Sequence, residues 1–404
     1  MYDIAVIGLG MMGAAATRHL ANMGVNVLGI GPGEPTDWQA HNGVFASHYD
    51  QGRITRILDP HPVWGRLAQR SIPRYAEIEA QTGVKFHFPV GGLRATPDTS
   101  DPKDTVEDAE RIGQEWGVDF DTLDRAGLAQ HFPYWSFPET ATGLWERGQA
   151  GYINPRSLVK AQLIAAYQNG AALVQQTVVG LKQTDDGFVI TTDRHRTLRA
   201  QNVLIAGGGY TNHLLDRPLD LRPKAVTVLL GEVDEAEQTR LEGMPTLIYR
   251  LPQDDYLYSI YALPPILYPD GKTYLKIGGM AWESPLIHHP PQFVDWFHGS
   301  GNPEEVEALG RALLELLPGL RVERWVTTPC VLTYTASGTP YVDQLDDNLF
   351  VVAGGNGSSA KSSDEIGRLG AMLAARGTWT DDLVASHFKA HLRPDGPLPT
   401  TVRR

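Results

Sequence analysis

The chain opens with Tyr2-Asp-Ile-Ala-Val-Ile-Gly-Leu-Gly-Met-Met-Gly13, and no other stretch limits its folding options as tightly. "YDIAVIG" is a short apolar run rich in β-branched residues, which predicts a strand buried on both faces, as in parallel sheets. "MMGAAATRHLANMG" predicts a helix closed by Gly24, and "VNVLGIG" predicts the next strand. Parallel neighbours need a crossover connection, so the chain starts as a β-α-β unit. Gly8, Gly10 and Gly13 fall at its first turn. Glycines at these positions allow the tight turn, the close approach of a pyrophosphate and close helix–strand packing. The unpaired N–H groups at the helix start then face the phosphates. The other reading is a tight β-α turn without a ligand. A nicotinamide site would usually place an acidic residue at the end of the second strand. Gly31 stands there instead, leaving Glu34, or backbone and water, to meet a ribose.

The remaining 391 residues return to this texture twice. A helix is predicted from Ser71 to Thr82, and short strands and loops begin near Gly91. "INPRSLVKAQLIAAYQNGA" supplies Asn154 as N-cap, Pro155 at the first helical position and Gly170 as stop. "VVGLKQTDDGFVITT" predicts a hairpin turning at Asp185-Asp186-Gly187. "QNVLIAGGG" predicts another buried strand that runs into glycines. Mixed strand patterns rich in tyrosine and proline fill Pro223 to Trp325. "NLFVVAGG" predicts a last buried strand and "SSDEIGRLGAMLAA" a helix, before a proline-rich, extended tail, "RPDGPLPTTVRR". No internal repeat is present. A chain of 404 residues exceeds one ordinary core. The pattern predicts an α/β (α+β) protein. A discontinuous, Rossmann-like dinucleotide-binding domain is expected over 1–87, 152–222 and 328–404. A mixed β-sheet substrate domain is expected over 88–151 and 223–327.

Composition narrows the partners. A formal charge of -12, with no dense Lys/Arg block, argues against a nucleic-acid surface. One cysteine excludes an internal disulfide and suits a reducing compartment. The N-terminus enters a strand at once, without the basic segment of a signal peptide, and no apolar run is long enough for a bilayer span. We therefore expect a cytoplasmic protein, a monomer or small homo-oligomer, with no nucleic-acid or membrane partner.

Two further glycine clusters follow strands, Gly207 to Gly209 and Gly354 to Gly357. Each alone reads equally well as a turn. Three glycine-flanked strand ends on one sheet suit a ligand longer than NAD, with a ring system lying across them, and FAD is such a ligand.

The chain resembles the monomeric sarcosine oxidase branch of the D-amino-acid-oxidase-like FAD oxidoreductases, which includes N-methyltryptophan, pipecolate and fructosyl amino acid oxidases. The resemblance runs from "YDIAVIGLGMMG" to "AKSSDEIG" and is strongest at "SHYDQGRITR", "YLKIGG", "PCVLTYT" and "AGGNGSSAKSS". It implies an FAD domain interleaved with a mixed-sheet domain. It also implies a thioether from Cys330 to the flavin 8α-methyl group, a bond that needs a thiolate in an electropositive surround. The other reading of Cys330 is a small buried hydrophobe. The resemblance assigns Arg56 and Lys361 to a substrate carboxylate, and Arg53 and His48 to positions against the flavin ring. It assigns Lys276 to oxygen activation, where a fixed cation stabilises developing negative charge; the alternative is an exposed strand lysine. The cofactor-binding residues it implies are Gly8, Gly10, Met12, Gly13, Val179, Gly207, Gly208, Cys330, Gly355, Asn356, Gly357 and Lys361.

The implied reaction oxidises a C–N bond in a secondary or N-substituted amino acid. Hydride passes to the flavin, the imine hydrolyses, and O2 is reduced to H2O2. The small amino acid or amine substrate carries a carboxylate. One departure from the family is Gly279-Met280 after Lys-Ile-Gly, where sarcosine oxidases carry a bulky aromatic and a histidine; a roomier site follows. Tyr256, Tyr258, Tyr261 and Tyr268 line the pocket or pack in the sheet. His288 and His289 point apart in a strand and no third ligand joins them, so no metal is expected. The alternatives are an FAD-dependent amino acid dehydrogenase with another acceptor, a nicotinamide-dependent dehydrogenase and a non-catalytic flavin-binding protein.

Overall fold

The computed structural model describes residues 1–98, 106–252 and 254–403. Residues 99–105 of the expected substrate domain and the final residue of the tail lie outside that set. The first strand, Tyr2–Ile7, runs into the helix Met11–Asn22, and the chain returns as Val27–Ile30. Five strands lie parallel in the order Leu349–Ala353, Thr197–Ile205, Tyr2–Ile7, Val27–Ile30 and Ala172–Val174. The hairpin Val178–Thr184/Gly187–Thr192 adds antiparallel strands beside Thr197–Ile205, and Tyr341–Asp346 pairs antiparallel with Leu349–Ala353. Successive side chains of the first strand go to opposite faces. Ile4 and Val6 pack with Ala16, Leu20, Ile366 and Leu369 of two helices, whereas Ala5 and Ile7 pack with Leu28, Ile30, Val203 and Ile205. Burial on both faces explains the unbroken apolar run.

The helix Ser363–Arg376 crosses the helix Met11–Asn22 at backbone distance. A Cβ on Gly367 would sit 2.7 Å from both Ala16 N and Met12 O. Beside this crossing Arg18 donates to Asp364 at 2.7 Å, with both side chains buried. The crossing ties the turn before Ser363, which carries Lys361, to the first glycine loop.

A second eight-stranded sheet has the order Arg324–Thr335, Leu221–Glu232, Thr273–Ala281, Leu257–Leu267, Thr246–Arg250, Gly92–Thr96, Thr142–Glu146 and Phe120–Leu123. Its pairings are antiparallel except Thr246–Arg250 with Gly92–Thr96. The helix Pro303–Leu316 buries Ala308, Leu309, Ala312 and Leu313 against this sheet. A small sheet of Arg53–Thr55, Gly151–Ile153 and His87–Phe88 lies between the segments. The division expected at 327/328 falls inside Arg324–Thr335, and the one at 222/223 falls inside Leu221–Glu232.

The predicted helix ends hold at Asn154, whose side chain accepts from Ser157 N–H, and at Gly170 in the left-handed region. The helix expected over Ser71–Thr82 is corrected. Helix Pro62–Ser71 precedes it, a 3-10 turn spans Ile72–Arg74, and the helix resumes over Tyr75–Thr82. Pro73 has no N–H to continue the α ladder, so the chain tightens there. The tail is extended, and Thr401–Arg403 pairs with Glu283–Pro285.

Candidate active site

One cavity of about 1080 Å3 runs along the strand ends of the first sheet and under the second. Gly8 and Gly10 line it at the first turn. Gly8 has φ +102°, and a Cβ there would lie 2.3 Å from Ala206 O, so only glycine fits. Gly10 holds the helix N-cap position with no capping side chain, and Ala14 N–H makes the first helical bond, to Gly10 O at 2.8 Å. The N–H groups ahead of it, at the cavity-lining Met11 and Met12, remain for a ligand. Gly13 lies behind the wall, where a Cβ would meet Gly8 O at 1.8 Å; it serves helix–turn packing.

Gly207, Gly208, Gly355 and Gly357 also line the cavity, and Val179 lines its far end. Asn356 does not. Its side chain accepts from Thr335 N–H at 2.9 Å and donates to Gly354 O at 3.1 Å. Asn356 therefore pins the third glycine loop to the strand Arg324–Thr335 and contributes to a cofactor site only through that loop. Glu34 is likewise absent from the wall. Two Arg156 nitrogens hold it at 2.7 Å each, while Gly31 and Pro32 line the cavity.

Cys330 lines the same cavity. It is buried in the strand Arg324–Thr335, its backbone O accepts from Trp296 Nε1 at 3.0 Å, and Arg53 Nη2 stands 3.4 Å from its sulfur. Arg53 also donates to Ser47 O at 3.0 Å and to the Asp50 carboxylate. His48 lines the same region. Burial, then the charges of Arg156 and Arg53, lower its pKa to about 3, so the ring is neutral across ordinary pH.

Lys276 lies one layer behind. It is fully buried and does not line the cavity; its ammonium donates to Asp50 and, at 2.7 Å, to Gly52 O. Tyr268 Oη donates to the same Asp50 at 3.1 Å. Burial, followed by the charge of Arg53, pushes the Lys276 pKa well below the ordinary lysine value. The alternative of an exposed strand lysine is corrected: Lys276 is buried, with Asp50 and the cavity-lining Tyr261 and Arg53 between it and the cavity.

Arg56 and Lys361 also line the cavity. Asp59 Oδ2 accepts from Lys361 Nζ at 2.9 Å and from Arg56 Nη2 at 3.2 Å. Burial alone would raise the Asp59 pKa, but Lys361, Arg56 and Arg94 outweigh it and hold it at about 2. Glu146 accepts from Ile57 and Leu58 N–H groups close by; burial raises its pKa. Asp59, Glu146 and Arg94 went unnoticed in the sequence because their elements lie far apart along the chain. Of the four tyrosines singled out, Tyr261 lines the cavity, and Gly278 makes room for it: a Cβ there would lie 2.3 Å from Tyr261 Oη. Tyr256 is bonded by Asn302 at 2.9 Å, Tyr258 packs on Trp282, and Tyr268 serves Asp50. Gly279 and Met280 line the wall. His288 and His289 lie outside it, and no group of three or more metal-ligating side chains occurs among the described residues.

A glycine cradle where only hydrogen fits, free helix N–H groups and a large cavity with a thiol on its wall fit a flavin dinucleotide. The chain matches the family described as FAD dependent oxidoreductase (DAO) over residues 3–373 and belongs to it. It is therefore an FAD-dependent oxidoreductase. Among its relatives, the monomeric sarcosine oxidase of Arthrobacter sp. (strain TE1826) is 24% identical over 388 residues, 95% of this chain and 94% of the relative. The N-methyl-L-tryptophan oxidase of Yersinia pestis (strain Pestoides F) is 23% identical over 390 residues, 92% of this chain and 95% of the relative. The solved open form of NikD, an amino acid oxidase of nikkomycin biosynthesis, superposes with a TM-score of 0.77 at 21% identity and shares the fold, covering 97% of this chain and 98% of that one. No helix among the described residues is long and apolar enough to cross a membrane.

Proposed function

We propose that the protein oxidises the C–N bond of a secondary or N-substituted amino acid, with O2 as electron acceptor and H2O2 as product. The observation that carries this reading is one cavity lined by the glycine cradle, by Cys330 and by the Arg56–Lys361 pair. The names of the relatives agree with it.

Gly8, Gly10, Met12, Val179, Gly207, Gly208, Gly355 and Gly357 would hold the cofactor, and Cys330 would carry it covalently, with the Arg53 guanidinium as the positive neighbour of the sulfur. Bound FAD supplies a two-electron oxidant. Arg56 and Lys361 bind the substrate carboxylate, and two fixed cations in a confined site set its orientation. His48, kept neutral by burial, adds no further positive charge beside Arg53; with its pKa near 3 it is too weak a base for an ammonium group, so the substrate amine binds in its neutral form. Phe45 puts an apolar ring on the cavity wall, backed by Phe297 stacked on it and Trp38 at their edge. The space beside Tyr261 comes from Gly278; a side chain on Gly279 would point at Leu257 and Leu309 in the core, so the roomier site expected from Gly279 is corrected. The domain division belongs to the same reading: 1–87, 152–222 and 328–404 hold the cofactor, 88–151 and 223–327 meet the substrate, and Arg324–Thr335 serves both.

Anaerobic mixing with N-alkyl, cyclic and primary amino acids tests the reaction. Bleaching of the flavin band by an N-substituted amino acid is expected, and a flavin that no amine reduces would sink the reading. A second reading, a dehydrogenase with another acceptor, is favoured by Lys276 lying behind the cavity wall. Peroxide yield per turnover in air separates the two: one H2O2 per substrate for the oxidase, little for the dehydrogenase.

A further inference from the structure

Arg56 follows the strand Arg53–Thr55, and Lys361 sits in the 3-10 turn Ala360–Ser362, 305 positions later. Two like charges brought together out of water repel. Asp59 is what joins them. One of its oxygens takes both cations, at 2.9 and 3.2 Å, while the other accepts from His61 N–H at 3.0 Å. Asp59 is 4% exposed and Lys361 1% exposed. Donors remain in reserve. Apart from Asp59, the only acceptor Lys361 Nζ reaches among the described residues is Ser358 O, at a long 3.5 Å. Arg56 Nε is buried with no hydrogen-bond partner among the described residues. Buried donors are rarely left unpaired, so this one points to an acceptor that arrives from the cavity.

We propose that Asp59 is a positioning residue of the substrate site: by gathering Lys361 and Arg56 on one carboxylate oxygen, it holds the two cations side by side and turned toward one incoming carboxylate. The proposal rests on the reading that Arg56 and Lys361 bind the substrate anion.

The groups around the Lys361 ammonium are Asp59, Arg56, Glu146 and the Trp64 ring, 5.8 Å from Nζ to centroid; Arg94 acts on Asp59. Burial lowers the Lys361 pKa to about 8, Asp59 is the strongest influence in the opposite direction, and Arg56 acts with burial. Without the Asp59 charge, Lys361 releases its proton at lower pH. The site then offers one cation where it had two.

The test is calorimetric binding of propionate to the flavin-loaded protein between pH 6 and pH 9. In the wild type, affinity should hold at low pH and fall about tenfold per pH unit above about 8. In Asp59→Asn the fall should begin at least about one unit lower, giving binding weaker by about fivefold or more at pH 8 and by about tenfold or more at pH 9, while Asp59→Glu keeps the wild-type midpoint. If Asp59→Asn does not retain flavin, Asp59→Ser is measured in its place. An unchanged midpoint in the neutral variant overturns the proposal, as does tighter binding at every pH, which would make Asp59 a competitor of the substrate. Arg56→Met checks the underlying reading: it should weaken propionate at every pH. If it does not, the assignment of the anion site fails, independently of Asp59.

Discussion

Lys276 shares the Asp50 carboxylate with Arg53 and Tyr268, and Arg53 in turn reaches the Cys330 sulfur at 3.4 Å. Charge placed at Lys276 is thus felt in the cavity through two intermediates. If the lysine governs the encounter with dioxygen, Lys276→Met leaves anaerobic flavin reduction by substrate near the wild-type rate and slows reoxidation in stopped-flow mixing with O2. An unchanged reoxidation rate would remove Lys276 from the oxygen reaction. Cys330→Ala makes an independent prediction: acid-precipitated wild type stays yellow, and the variant gives a colourless pellet with flavin in the supernatant. Colour lost equally from both means the flavin is not bonded to sulfur. For Arg56, removing a charged hydrogen-bond donor is worth about 2 kcal/mol, or about thirtyfold in KM. Arg56→Met should show this for an amino acid and little of it for the matching uncharged amine; equal effects on the two would count against a carboxylate contact.

At the scale of elements, the crossing of the helices Met11–Asn22 and Ser363–Arg376 sets the distance between the first glycine loop and Lys361. Gly367→Val would push a branched side chain into Ala15, Ala16 and Met12. Overpacking of this kind costs about 1–3 kcal/mol, more than the few tenths gained in helix propensity. A lower denaturation midpoint and weaker flavin retention are expected; an unchanged midpoint would mean that the helices can slide apart. Elements of this sort were legible in the sequence because their signals are local. The run "YDIAVIG", the cap at Asn154 and the stop at Gly170 each declare themselves within a few residues. Helix Pro62–Ser71 carried a comparable signal, with Val63, Trp64, Leu67 and Ala68 buried on one face, and was overlooked behind the proline that starts it. The site was less legible. Lys276 in "TYLKIGGM" reads the same whether a strand lysine faces a cofactor or a buried aspartate. Asp59 gains its meaning from a lysine about three hundred residues away, and no periodicity records that pairing.

At the scale of the whole molecule, several carboxylates tie distant segments together in their charged form. Asp59 is held at about 2. Burial would raise Asp364, but His19, Arg18 and Arg74 outweigh it and hold its pKa well below the ordinary value. Burial would likewise raise Asp381, but Arg368 and the Leu383 N–H hold it at about 2. Groups with depressed folded pKa values stabilise the fold above the ordinary carboxylate range and lose that contribution as pH falls toward 2. Melting temperature should therefore fall as pH drops below about 6.5, where the unfolded chain takes up the proton that buried His48 refuses, and fall further between about pH 4 and pH 2 as these carboxylates protonate; a midpoint unchanged down to about pH 3 would count against both. The strand Arg324–Thr335 has a last consequence at this scale. It carries Cys330 yet pairs along its whole length with Leu221–Glu232 in the second sheet, while the first glycine turn belongs to the first. A flavin bonded to that sulfur would act as a cross-brace, so neither half of the molecule can be grafted onto a foreign partner without re-registering the ring it shares with the other.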